Sequence, residues 1–250
     1  FDDLLGHRCS MKRLDISHQD LMRQINFYYS CVSFVDYQVG RILQALKDKG
    51  MYDDTLIVFT SDHGDMMGDY NCIGKRVMVN SACHVPYIVR CPGVAPGRRS
   101  DVVSLVDIAP TMLSYAGIPY DKDEYDGIDV FAGQDRSYVY SQFGFGKKGT
   151  YMVTDGTNKL CYSGKSGKYY FFETCPEEKN VYSQENAKCM EMKALLDAYI
   201  AGDKGQDKDS PTDESTYTRR HPHYPGRMDH KKRADEERAL IPQGYHIDLN

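Results

Sequence analysis

The residues best equipped for chemistry lie close together, in the run TSDHGDMMGDYNCIGKR from Thr60 to Arg76. Asp62 offers a hard carboxylate oxygen and His63 an imidazole, and the two can share a divalent cation if Gly64 lets the backbone turn tightly around the ion. Two ligands are too few for such an ion, so further coordination has to come from elsewhere; Asp65, Asp69 and the Lys75 ammonium follow within a short loop. A lysine beside an oxygen-ligated metal suits an anionic ester, because ammonium and metal together stabilise the charge that develops on transferring sulfate or phosphate oxygens. The same residues also read more plainly, with Asp62 and Asp65 capping the following turn and His63 simply hydrogen-bonded. The tetrapeptide alone does not choose between these readings.

The elements that must position these groups are legible around them. Leu56, Ile57, Val58 and Phe59 form an apolar, β-branched and aromatic run that reads as a strand buried on both faces of a parallel sheet. Open α/β sheets place their ligands at the carboxyl end of such strands. Ahead of it, Ser17 with Asp20 marks a helix start. Leu21, Ile25, Tyr28, Val32, Val35, Val39, Ile42 and Leu46 then alternate spacings of four and three along one stripe, and Gly50 supplies a cap. A helix lying on the sheet is expected there rather than a coiled coil. Pro86 to Arg90 reads as a second short buried strand. His84, just before it, can reach the site from a strand end or serve as a hydrogen-bonded structural histidine. Arg98 and Arg99 read as a solvated turn, and Val103 to Leu105 as a short strand. Asp107 caps a helix with Pro110 in its first turn and Gly117 beyond its end.

Past Asp129 the character changes. Ser137–Phe143, Thr150–Thr154, Lys159–Ser163 and Tyr169–Glu173 are short Tyr-rich runs, with Asp155-Gly156 and Ser166-Gly167 as turn signals, which predicts an antiparallel sheet joined by hairpins. Glu185–Ile200 follows as an amphipathic helix burying Met190, Leu195, Leu196 and Tyr199. The tyrosines could form a stacking platform for a glycan, although β-propensity accounts for most of them. From Gly202 onward the chain is polar; His221, His223 and His230 sit among basic residues and read as part of a solvated tail.

Across 250 residues the formal charge is −5 and 41% of residues are hydrophobic. That supports a core but gives no electrostatic reason to expect nucleic acid as a partner. No apolar run reaches the length of a membrane span. The eight cysteines show no CxxC pairing or zinc spacing, so neither the disulfide state nor the redox compartment follows.

The stretch from Ser61 to Arg90, SDHGDMMGDYNCIGKRVMVNSACHVPYIVR, resembles the second signature of the formylglycine-dependent sulfatases of the alkaline phosphatase superfamily. The resemblance extends in family order over roughly residues 25 to 200, through Val85-Pro86, Pro92-Gly93 and Val106–Thr111. It implies that Asp62 and His63 bind Ca2+ or Mg2+ and that Lys75 contacts the sulfate and is catalytic; His84, from its place at the strand end, is a further candidate for substrate binding. The family's fold is α/β, an alkaline-phosphatase-like mixed sheet flanked by helices and followed by a small antiparallel sheet with one helix. On that pattern residues 1–130 belong to the catalytic domain, 131–200 to the small sheet and helix, and 201–250 to a polar extension. Tyr70 replaces a frequent His, and Val79-Asn80-Ser81 replaces a common Tyr-Glu-Glu; these departures bear on specificity.

The family's nucleophile motif, Cys/Ser-x-Pro-x-Arg, is missing from this sequence. Val94-Ala95-Pro96-Gly97-Arg98 has the Pro and Arg but a valine at the nucleophile position. The family's paired acidic ligands are missing too. The expectation is therefore the C-terminal portion of a metal-dependent sulfuric ester hydrolase acting on a sulfated small molecule or glycan, inactive alone, with formylglycine in the absent part. By resemblance, export is expected over a cytoplasmic location. A phosphoryl or phosphonate ester hydrolase or transferase is the second expectation, and a non-catalytic binder of sulfated glycans the third.

Overall fold

The computed structural model describes residues 2–5, 14–133, 136–173, 177 and 179–202. The N-terminal part comprises the short helix α1 (Asp2–Leu5), the long helix α2 (His18–Asp48), strand β1 (Ile57–Thr60) and the hairpin β2 (Met66–Met67) with β3 (Ile73–Gly74). The one-turn helix α3 (Asn80–Cys83), strand β4 (Tyr87–Arg90) and helix α4 (Ile108–Tyr115) follow. The C-terminal part holds β5 (Val139–Phe143), β6 (Thr150–Thr154), β7 (Lys159–Ser163), β8 (Lys168–Phe172) and helix α5 (Ala187–Gly202).

Helix α2 begins where its capping chemistry dictates. The Ser17 hydroxyl accepts from the Asp20 N–H at 3.1 Å, and the Asp20 carboxylate accepts the Ser17 O–H at 2.5 Å. It ends in a Schellman arrangement: the Gly50 N–H donates to Lys47 O and the Met51 N–H to Leu46 O, with Gly50 at φ 66. The expected single buried stripe is not observed. Among the described residues nothing in α2 is fully buried, and Phe27, Tyr29, Phe34 and Tyr37 are each about two-thirds exposed. These aromatics lie off the stripe, so the helix is apolar on more than one face.

Strand β1 also departs from expectation. It pairs with β4 and runs antiparallel to it, in the register Ile57↔Arg90 to Thr60↔Tyr87. Phe59 and Ile88 keep 37% and 62% of their surface exposed, so the apolar run reports hydrophobic side chains rather than a parallel sheet covered on both faces. An unbroken apolar run fits either topology. Residues Leu105–Asp107 form a 3-10 turn leading into α4 in place of the short strand expected there. The Asp107 carboxylate draws this segment together, accepting from the N–H groups of Ser104 at 2.7 Å and Ile128 at 2.9 Å and from the Arg136 guanidinium. Its capping role is thus at the 3-10 turn; at α4 it makes no side-chain cap bond.

Strands β5 to β8 form one four-stranded antiparallel sheet in sequence order, built by the hairpins that the turn residues announce. Tyr151, Val153, Leu160 and Phe171 from this sheet pack against Cys189, Met192 and Leu196 of α5. The seam of α5 is therefore Cys189-Met192-Leu196, at spacings of three and four; Met190, Leu195 and Tyr199 are only half-buried. The opposite face of the sheet packs Met152, Cys161, Tyr170 and Phe172 against Leu4 of α1 and Met78. The tyrosines are structural: Tyr140 stacks on Tyr199 at 4.8 Å and Tyr169 on Tyr182 at 5.6 Å. Tyr169 donates its hydroxyl to Asp197 and lies under Lys193.

Candidate active site

The site is assembled at the carboxyl end of β1. The Ser61 hydroxyl donates to the His63 carbonyl at 2.9 Å, the His63 N–H donates to Asp62 Oδ1 at 2.8 Å, and His63 Nε2 lies 3.3 Å from Asp62 Oδ2. The ring's Nδ1 rests 2.9 Å from the Gly64 carbonyl, which fits a tautomer with the proton on Nδ1 and the Nε2 lone pair turned to the carboxylate side. The backbone N–H of His63, opposed by desolvation, holds the Asp62 carboxyl below the usual carboxylate range. The Asp62 side chain is 82% exposed and that of His63 37%.

Gly64 serves a different purpose from the one its neighbourhood suggests. Its φ is not positive; a Cβ there would stand 2.1 Å from the Ser81 carbonyl oxygen, and its N–H donates to Ala82 O at 2.8 Å. The glycine lets the Asp62-His63 turn lie directly on α3. This contact brings His84, the exposed C-cap of α3, into the neighbourhood of the turn.

Lys75 is carried by the small hairpin. It directly follows Gly74, which pairs with Met66. The loop that carries it is unusually constrained. Tyr70 (φ 54), Asn71 (φ 57) and Arg76 (φ 75) all occupy the left-handed region without being glycine, at a cost on the order of 1–2 kcal/mol each for Tyr70 and Arg76 and less for Asn71. Such conformations persist only where surrounding contacts impose them. Asp69 turns inward to accept the Met67 N–H at 3.0 Å and so closes the loop; Arg76 lies over the Phe143 ring at 5.9 Å.

Asp62 and His63 follow β1 and His84 precedes β4, so these three lie at one end of the β1–β4 ladder, while Lys75 follows β3 of the small hairpin. Arg99 belongs elsewhere, bound to Asp101 and to the Val130 carbonyl, as a turn residue. The donor set of carboxylate and imidazole fits a hard divalent cation, but supplies only part of a coordination shell; among the described residues no group of three or more His, Cys, Asp or Glu side chains converges. Cys9, Cys175, His221, His223 and His230 lie outside the described residues.

A further set of residues, which the sequence does not bring together, supports the loop. Glu177 and Lys159 form a buried ion pair, 3% and 8% exposed. Glu177 accepts from the Tyr70 hydroxyl at 3.0 Å and the Asn80 N–H at 2.9 Å. Burial works against the Lys159 ammonium, but the facing sulfurs of Cys83 and Cys161 and the Glu177 carboxylate outweigh it and raise its pKa. No spacing signals these contacts, since Tyr70 and Glu177 are 107 positions apart.

The architecture resembles that of solved sulfatases and phosphonate monoester hydrolases. It matches a 2-O GAG sulfatase with a TM-score of 0.65 at 21% identity, covering 80% of this chain and 48% of that one. It also matches a phosphonate monoester hydrolase from Silicibacter pomeroyi, with a TM-score of 0.57 at 26% identity, covering 67% of this chain and 38% of that one. These define a mixed α/β fold of the sulfatase type. The sulfatase family profile matches residues 6–118, and an arylsulfatase of Clostridium perfringens is 28% identical over 183 residues, 69% of this chain and 38% of the relative. Over these stretches the chain is similar to the sulfatase family. It spans about two fifths of the length of that arylsulfatase. Among the described residues no helix is long and apolar enough to cross a membrane.

Proposed function

We propose that this chain carries part of the active site of a sulfuric ester hydrolase, with Asp62 and His63 as ligands of a Ca2+ or Mg2+ ion and Lys75 as the catalytic group that grips the sulfate. The single observation that carries the reading is that the Asp62-His63 turn and the Lys75 hairpin follow β1 in succession within residues 6–118, the stretch that the sulfatase family model matches. When bound, the ion would supply Lewis-acid charge next to the ester oxygens. The protein's own part is positional and electrostatic. The His63 N–H and Ser61 hydroxyl fix the ligand turn, and the Lys75 ammonium neutralises charge developing on the non-bridging oxygens. His84 is an additional substrate contact in this scheme. No residue of this chain fits the nucleophile, because no Cys/Ser-x-Pro-x-Arg occurs; the formylglycine and the remaining acidic ligands are contributed from outside these 250 residues, and the chain alone does not turn over. The substrate class is a sulfated small molecule or glycan, and the location is outside the cytoplasm.

A phosphonate monoester hydrolase is the second reading, favoured by the structural match to such an enzyme at 26% identity. One experiment separates the two. The polypeptide joining this sequence to a nucleophile-bearing segment is assayed against 4-nitrophenyl sulfate and a phenylphosphonate monoester. A kcat/KM higher for the sulfate supports the sulfatase reading, and the reverse order moves the assignment. In either case Lys75→Ala lowers kcat by about 10²–10³, as loss of one oxyanion-stabilising donor does; an unchanged kcat removes Lys75 from the site.

A further inference from the structure

We propose that Glu177 and Lys159, both from the C-terminal sheet region, are positioning residues that clamp the two ends of the Lys75 loop and so set the place of its ammonium. The inference rests on the reading of Lys75 as the anion-binding group.

The geometry is specific. One carboxylate oxygen of Glu177 accepts the Tyr70 hydroxyl at 3.0 Å, and the Glu177 N–H donates back to the same phenol oxygen at 3.1 Å. The other carboxylate oxygen accepts the Asn80 N–H at 2.9 Å. Tyr70 and Asn80 stand on opposite sides of Lys75, so a single buried side chain holds both arms of the loop. Lys159 completes the clamp from β7. It pairs with Glu177, donates to the Asn80 side-chain carbonyl, and donates to the Met78 carbonyl at 3.1 Å.

The loop needs such a restraint. Tyr70 itself is in the left-handed region, with φ 54 and ψ 27, as are Asn71 and Arg76, and such backbone relaxes unless its surroundings over-determine it. Each anchor point is solid: Val79, next to Asn80, is fully buried, and Val77 and Met78 are nearly so, whereas Lys75 and Arg76 between the anchors are exposed. A rigid base under an exposed cation is what precise placement of a charge requires.

The test uses this full chain with Tyr70→Phe and Glu177→Gln, read by amide hydrogen exchange and by calorimetric titration with inorganic sulfate, with Lys75→Ala alongside. Tyr70→Phe keeps the ring and removes only the hydroxyl. The clamp predicts exchange at residues 68–80 faster by about tenfold or more in both variants, unchanged exchange in strands β6 to β8, and weaker sulfate binding. Unchanged exchange at 68–80, or an equal rise throughout the chain, overturns the proposal. Faster loop exchange with sulfate affinity retained, where Lys75→Ala abolishes it, also overturns it and leaves the functional reading standing. If Lys75→Ala does not alter sulfate binding, the functional reading fails and the clamp, as a device for placing that ammonium, falls with it; the loop's exchange still reports which of the two failed first.

Discussion

The Nε2 atom of His63 lies 3.3 Å from Oδ2 of Asp62, while the opposite ring nitrogen is engaged 2.9 Å from the Gly64 carbonyl. The pair presents one lone pair and one carboxylate to the same space. Added Ca2+ or Mg2+ should therefore perturb the NMR signals of residues 60–65 in this chain. Asp62→Ala should weaken that response by at least about tenfold, since even outer contacts to a metal site are worth that much. A cation response that survives Asp62→Ala would place the ion elsewhere.

Gly64→Ala tests the seating of the same turn. The added methyl would meet the Ser81 carbonyl oxygen at 2.1 Å, a backbone atom that cannot swing aside. The expected loss is about 1–3 kcal/mol of stability, as for overpacking elsewhere, measured by urea denaturation. It should be accompanied by faster exchange of the Gly64 amide, whose bond to Ala82 O would break. Wild-type stability would show that α3 and the turn can separate freely.

Asp107 is the strongest single structural prediction. Its fully buried carboxylate satisfies two backbone N–H groups and the Arg136 guanidinium. Asp107→Ala leaves that charge and those donors without their acceptor, and should cost about 3–5 kcal/mol. Asp107→Asn, which keeps an acceptor oxygen, should cost less. Chemical denaturation of the three proteins decides; equal losses for both variants would point to shape rather than charge.

Asp155 should make the C-terminal sheet acid-sensitive. Burial pushes its carboxyl up, but the N–H groups of Asn158 and Thr157 and the Asn158 side chain outweigh that and hold it below the ordinary value. A pKa depressed in the folded state means stability that is present above the unfolded value of about 4 and is lost as pH falls through the folded one. The urea midpoint of the wild type should fall as pH drops below about 4, and Asp155→Asn, already lacking the contribution at neutral pH, should show a flatter profile there. Parallel profiles for the two proteins would contradict this assignment.

Local signals in the sequence determined a good deal. Ser17, Asp20 and Gly50 bound α2 because capping is chemistry between near neighbours, and Asp155-Gly156 and Ser166-Gly167 place the hairpins for the same reason. Alternation of Tyr and aliphatic residues marks all four strands of the last sheet to within two residues. Asp62, His63 and Lys75 stand out by residue type and spacing. The tertiary structure decided what local patterning cannot carry. The apolar run of β1 looks the same whether its partner is parallel or antiparallel, and pairing with β4 settled it. A helix apolar on several faces, like α2, does not reveal which face is covered. The function of Gly64 depends on Ser81, and the shape of the Lys75 loop on Glu177 and Lys159, across separations that no periodicity spans. The sequence thus names the candidate groups for the chemistry, whereas contacts between distant segments set where those groups are held.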